Sequence, residues 1–215
     1  MPPLPKAAIQ EQFGTPARQK EAATLAMWVF LGTELLIFSG LFVAYGEYRY
    51  TFPVAFQMAG SYAEHGLGLV LTILLLTSSF LATLSVLAAR QGKRLATVGL
   101  IGLTVALGTL FMVLHLAEWW HHAREGALPG RYYHFDKLTL PGASLFFTLF
   151  YLTTGLHMLH VTIGLALLSW SALQALLGRI TAEYTTPVEV TVLYWHFVDV
   201  IWTFIFPLYY LLARP

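Results

Sequence analysis

An aspartate sits in the middle of a long apolar run near the C-terminus, and few folds can accommodate it. The run, Val190 to Leu212, reads VTVLYWHFVDVIWTFIFPLYYLL, and its only acidic or basic side chains are His196 and Asp199. Crossing a hydrocarbon layer of roughly 30 Å takes about 20 apolar helical residues, so the run has the length of a membrane span. A carboxylate at that depth is costly and has to face protein rather than lipid. The i, i+3 spacing puts His196 and Asp199 on one helical face, within reach of a mutual hydrogen bond. Such a helix needs other helices to receive its polar face.

The rest of the chain supplies them. Only 11% of the 215 residues are charged, against about 25% in a soluble domain, so the composition is that of an integral membrane protein. A net charge of +1 offers nothing to nucleic acid. The absence of cysteine excludes disulfides, iron–sulfur ligation, thiolate metal sites and a dicopper electron-entry site built on two cysteines. Residues 1–23 carry Pro2, Pro3, Pro5 and Pro16 without an apolar run. They read as a flexible extramembrane lead-in and not as a secretory signal.

Five apolar segments follow, predicting an all-α bundle of five transmembrane helices in a single domain, residues 24–215. The spans are placed at about 24–45, 66–89, 95–119, 143–177 and 190–212. A polar connection, Gly46 to His65, separates the first two. The second span holds Ser78 and Ala82, a small-residue pair suited to close helix approach. Gly99, Gly102 and Gly108 narrow the third. The fourth is longer than a bilayer requires and is expected to run on, long or tilted, until Gly178. Thr186 and Pro187 start the last helix. Lys6, Arg18, Lys20, Arg90, Lys93, Arg94 and Arg179 fall on one side, against Arg49, Arg124, Arg131, Lys137 and Arg214 on the other. The excess, concentrated in the short turn RQGKR, places the N-terminus in the cytoplasm and the C-terminus outside.

Polar residues inside the spans are the candidate functional groups. Glu34 lies near the middle of the first span, where a charge costs at least about 2.5–3.5 kcal/mol. It must be protonated, or hydrogen-bonded on a protein-facing side. A proton-handling or lipid-contacting role and a plain interhelical lock both fit. His115, Glu118 and His122 share one face of the third span, and Glu118 with His121 matches the Glu-x-x-His of di-iron bundles. That chemistry needs a second such helix, and the sequence has only one, so an interfacial hydrogen-bond cluster fits better. His157 and His160 form another i, i+3 pair. With His115 and His196 they put four histidines on three helices, which raises haem ligation by facing imidazoles. The alternative is neutral histidines bonded to Glu34, Asp199, Thr153 or backbone carbonyls.

Four segments in order resemble subunit III of the haem-copper oxidases: WVFLGTELLIFSGLFVAY with Glu34, LHLAEWWHH with Glu118, FYLTTGLHMLHVTIGL with His157 and His160, and YTTPVEVTVLYWHFVDVIWTFIFPLYY with Trp195, His196, Asp199 and Trp202. The likeness spans about residues 24–214 and is to the five-helix bacterial form, which lacks the first two helices of the seven-span form and with them part of the family's lipid cleft. It implies a non-catalytic subunit III, as in cytochrome c oxidase, of a complex that reduces O₂ to water with proton translocation in the bacterial inner (plasma) membrane. The implied partners are catalytic subunit I, electron-entry subunit II and membrane lipid. Haem and copper would reside in the partner subunits, with no cofactor or metal on this chain beyond phospholipid. The acids and imidazoles Glu34, Glu118, His157, His160, His196 and Asp199 would form a polar network that supports proton uptake. Two other readings stay open: an accessory subunit of a nitric oxide reductase, and a free-standing haem-binding membrane protein.

Overall fold

The computed structural model describes residues 11–212. Six helices follow in chain order: α1 (Pro16–Thr51), α2 (Pro53–Ser61), α3 (His65–Arg90), α4 (Arg94–Arg124), α5 (Ala143–Leu176) and α6 (Thr186–Phe206). All but α2 are long and apolar enough to cross a membrane. No strand occurs among the described residues, only two isolated bridges, Ala127–Tyr133 and Thr181–Tyr184.

The first helix differs most from the sequence expectation. It begins at Pro16, with the Thr15 hydroxyl accepting from the Arg18 amide, so residues 16–23 of the expected lead-in are helical, while residues 1–10 lie outside the described residues. It runs on to Thr51, and α2 then takes up most of the expected polar connection. Tyr45 and Phe56, packed edge to face at 5.4 Å, tie α2 back onto α1. Composition alone marked that stretch as polar; buried Ala55, Phe56 and Ala59 make it a helix.

α3, α4 and α5 all stop the same way. Gly92, Gly126 and Gly178 adopt positive φ, and the amide beyond each bonds five residues back: Lys93 to Ala88, Ala127 to His122, Arg179 to Gln174. This Schellman closure satisfies the last carbonyls and turns the chain sharply. α5 is unbroken for 34 residues, as its long apolar run suggests. α6 starts at Thr186 with Pro187 in its first turn, and at Pro207 the ladder widens into a π turn, Pro207–Leu211. Proline has no amide hydrogen to continue the regular pattern.

Four helices, α3, α4, α5 and α6, close a ring in which each packs on the next. Two tryptophans of α6, seven residues apart, fill its centre. Trp195 donates to Ser78 Oγ of α3 at 3.0 Å. A Cβ on Gly108 of α4 or Gly164 of α5 would come within 2.7 Å of its ring. Only a side-chain-free position on both helices admits the indole. Trp202 donates to Thr72 Oγ1 at 3.0 Å and stacks edge-on against Phe111 of α4 at 4.8 Å. Each indole N–H therefore meets a hydroxyl of α3, which removes the cost of burying it.

α1 lies outside this ring, on α5 and α6. Its buried stripe is Leu31, Phe38 and Tyr45, one residue per seven, while Leu36 and Val43 on the other faces are 73% and 72% exposed. Lipid tails are as apolar as these side chains, so close packing and polar contacts hold such a seam. Three polar contacts at three depths do so. Lys20 meets Glu189 of α6 at 2.6 Å, Glu34 meets His160 of α5 at 3.0 Å, and Tyr45 with Arg49 donates to the carbonyls of Leu208 and Leu212. Glu189 also takes Arg90 of α3 at 2.9 Å, so one carboxylate joins three helices.

Candidate functional site

The six polar residues singled out in the sequence do not form one network; they fall into separate groups around the tryptophan core. In the first group, His160 Nδ1 lies 2.8 Å from the Leu156 carbonyl, one turn back on α5. A carbonyl only accepts, so Nδ1 carries a hydrogen. Nε2 faces Glu34 Oε2 at 3.0 Å. That contact then needs one proton between oxygen and nitrogen, on the acid or on the imidazole. In either form the pair as a whole is neutral, which is how a carboxyl can reside at this depth. Phe38 covers the imidazole edge-on at 5.3 Å and Tyr194 stacks on it at 6.5 Å. The Glu34 side chain keeps 15% of its surface open, so this proton is enclosed incompletely.

The second group sits at the far end of α4. Glu118 Oε2 accepts from Tyr210 Oη at 2.7 Å, and His115 Nδ1 stands 3.0 Å from the same oxygen but out of line for a good hydrogen bond. His122 Nε2 is 4.0 Å from Oε1. All four residues are buried. His121, the other half of the Glu-x-x-His match, points elsewhere and approaches Glu125 at 3.9 Å. The motif is thus split between a buried and an exposed face. Among the described residues, no three His, Asp or Glu side chains converge as metal ligands.

His157 is fully buried, with neither ring nitrogen hydrogen-bonded. Phe111 and Trp202 pack on it at 5.8 and 5.3 Å, and the same two rings pack on His115 at 5.9 and 5.5 Å. These side chains occupy the space between the helices that facing haem ligands would have to leave open. Thr153, an expected partner of the histidines, instead shares a hydrogen bond with Tyr209 at 3.0 Å.

The expected His196–Asp199 hydrogen bond is absent. His196 turns both nitrogens toward α3, Nδ1 to Ser79 Oγ at 2.6 Å and Nε2 to Thr83 Oγ1 at 3.2 Å. Asp199 is buried, and neither of its oxygens has a well-formed hydrogen bond. Sharing a helical face sets where two side chains start, whereas the hydroxyls of the neighbouring helix decide where the imidazole ends. Ser79, Thr83, Tyr194 and Tyr210 were not singled out in the sequence. The available signal was a hydroxyl pair at i, i+4 in a span lacking any charge, the tyrosine that precedes Trp195, and the second tyrosine of the closing YY.

The sequence that builds this bundle, with acids and imidazoles between its helices and two tryptophans of the last helix at its core, matches a known family. Residues 13–213 match the family described as Cytochrome c oxidase subunit III. The chain belongs to that family. Quinol oxidase subunit 3 of Bacillus spizizenii is 32% identical over 194 residues, 88% of this chain and 86% of that protein. Cytochrome c oxidase subunit 3 of Synechocystis sp. is 35% identical over 188 residues, 86% of this chain and 73% of that one. A third relative, heme-copper oxidase subunit I+III of Aeropyrum pernix, is 31% identical over 203 residues; these are 89% of this chain but only 23% of that much longer one. The five long apolar helices and the family together make this a multi-pass membrane protein.

Proposed function

We propose that this chain, as the non-catalytic subunit III of a haem-copper oxidase, supports proton uptake and sustained turnover of a complex that reduces O₂ to water. It resides in the bacterial plasma membrane with its N-terminus in the cytoplasm. Catalytic subunit I and electron-entry subunit II lie beside it and carry the haem and copper, and phospholipid contacts its apolar outer faces. The electron donor is the business of those partners: relatives named for quinol and for cytochrome c are both similar to this chain.

The observation that carries the proton role is the Glu34–His160 contact. With Nδ1 committed to the Leu156 carbonyl, the pair holds one transferable proton at membrane depth. Glu118 and Tyr210, His157, and His196 with Asp199 serve as the remaining polar framework that orders the helices around it.

The test is Glu34→Gln in the assembled oxidase. The glutamine amide can still donate to His160 Nε2, so the complex assembles, but the transferable proton is gone. Proton uptake slows, or activity decays over repeated turnover. Wild-type proton uptake and activity throughout prolonged turnover would remove the proton role and leave Glu34 as an interhelical lock.

A further inference from the structure

Asp199, Ser79 and His196 stand in a line between α3 and α6. Asp199 is buried, and Ser79 of α3 lies beside its carboxyl. On the other side of Ser79 its hydroxyl meets His196 Nδ1 at 2.6 Å, and the imidazole is half-buried. The line thus runs from an enclosed acid to a ring at the edge of the bundle. Its hydrogens can be assigned in order. The Thr83 hydroxyl reaches the Ser79 carbonyl at 3.1 Å, and a carbonyl only accepts, so the single hydroxyl hydrogen goes there. Thr83 Oγ1, 3.2 Å from His196 Nε2, is then an acceptor, which puts the imidazole hydrogen on Nε2. In a neutral ring this leaves Nδ1 bare, and Nδ1 takes the Ser79 hydrogen. Ser79 can therefore offer Asp199 only a lone pair. An ionised carboxylate would have no donor at all, and among the described residues no Lys or Arg pairs with it. Buried charges do not persist unpaired, so Asp199 is the neutral acid and carries a hydrogen of its own.

We infer that these three side chains are a proton relay, in which Asp199 holds one proton inside the bundle and passes it through the Ser79 hydroxyl to His196. Neither carboxyl oxygen is in line for a full hydrogen bond at rest, so the relay closes when the carboxyl turns its O–H onto Ser79 Oγ. The carboxyl O–H bond then breaks as Ser79 Oγ gains that hydrogen. The original Ser79 O–H bond breaks as His196 Nδ1 gains the other. The products are a carboxylate that accepts from Ser79 and an imidazolium whose Nε2–H still meets Thr83. The proton count is unchanged and no further reactant enters. Opposite charges end one hydroxyl apart, each with its hydrogen bonds made, so the same side chains sustain both forms. This role goes beyond the framework assigned to His196 and Asp199 above. It is also separate from the Glu34–His160 pair, which joins α1 to α5.

The test is deuterium exchange of the Asp199 carboxyl, followed by infrared spectroscopy of the purified complex after transfer to D₂O. Subtracting the spectrum of Asp199→Asn isolates the C=O band of this acid, which falls in frequency when the acid takes up deuterium. The expected result is a protonated-acid band at neutral pH that exchanges in the wild type. Ser79→Ala removes the middle link and should slow the exchange by about a hundredfold, the low end of what a positioned proton-transferring side chain contributes. Ser79→Thr keeps a hydroxyl and should restore the rate. His196→Gln can hold hydrogen bonds but cannot take up the proton, and should slow exchange as Ser79→Ala does. Three results would each overturn the relay: no acid band that Asp199→Asn removes, no exchange in the wild type, or exchange in Ser79→Ala and His196→Gln as fast as in the wild type. The subunit assignment stands in every case, because the relay lies wholly within this chain.

Discussion

The indole of Trp195 stands where a methyl group on Gly164 would have to be: a Cβ there would fall 2.7 Å from its Cε3. One α6 side chain thereby sets how closely α5 and α4 approach the centre of the ring. Gly164→Ala should destabilise the assembled subunit by about 1–3 kcal/mol, the usual effect of forcing extra volume into a filled core. Gly32 is the control, since nothing lies within 4 Å of the Cβ it would acquire. Gly32→Ala should be neutral or gain up to about 1 kcal/mol from helix propensity. Thermal denaturation of the detergent-solubilised complex distinguishes the two.

Tyr210 donates to a buried carboxyl, and the consequence reaches across the molecule from the last turn to α4. Tyr210→Phe removes the 2.7 Å bond to Glu118 Oε2 and leaves that oxygen with only the poorly aligned His115. Leaving such a group short of a partner should cost about 1–3 kcal/mol. A double-mutant cycle with Glu118→Gln should show coupling. Infrared difference spectra should show a shift of the Glu118 carboxyl band in the single tyrosine variant. Unshifted spectra would mean that the hydroxyl is not the group that sets the state of this acid.

Outside the spans, the α4–α5 connection is held by Lys137 and Glu125 at 2.6 Å. The lysine hydrogen bond holds the Glu125 carboxyl below its ordinary value of 4.5, and the same contact holds the Lys137 ammonium above 10.5. A lowered carboxyl stabilises the fold above its unfolded pKa and loses that contribution as pH falls through the folded one. A raised amine stabilises below its unfolded pKa and loses it as pH rises through the folded one. The loop should therefore be held evenly between about pH 5 and 10, and loosen on acidification below the carboxyl's ordinary value. Lys137 is exposed and Glu125 is only partly covered, so the effect is local. Hydrogen exchange of the amides from Gly126 to Leu138, corrected for intrinsic rate, should speed up in Glu125→Gln at neutral pH.

Much of this fold is legible from hydropathy and punctuation. Uniform apolar runs mark the five spans, and Gly92 and Gly178 follow two of them in the positions that positive φ requires. Gly46 to His65 misleads because Glu47 faces outward and Arg49 reaches the Leu212 carbonyl, while Ala55, Phe56 and Ala59 of α2 are buried. The site is legible in its residue types and not in its pairings. Glu34 and His160 stand 126 positions apart, and nothing in either segment names the other. His196 and Asp199 are close in sequence, yet the hydroxyls of Ser79 and Thr83 capture the imidazole. Which residues meet depends on the rotation of each helix about its own axis. That rotation is set by the fit of Trp195 between Gly108 and Gly164, which no single segment encodes.

The Glu34–His160 pair yields the sharpest prediction because its hydrogen-bond directions are constrained from both ends. The Leu156 carbonyl fixes the hydrogen on Nδ1, so Nε2 either accepts from the acid or carries the proton itself. In Glu34→Gln there is no acidic proton to share: the neutral ring keeps its hydrogen on Nδ1, and the NH₂ end of the amide donates to Nε2. In Glu34→Ala, Nε2 faces no partner. Stability should then rank wild type and Gln close together, with Ala lower by about 1–3 kcal/mol for the unsatisfied nitrogen. α1 should also loosen in the alanine variant, because one of its three polar attachments is lost while those at Lys20 and at Tyr45 remain. Hydrogen exchange across residues 27–42 would report it. The ¹⁵N shift of His160 Nε2 reads where the proton sits: a move in Gln to the value of an unprotonated acceptor means that the imidazole carries it in the wild type, and an unchanged shift means that Glu34 does.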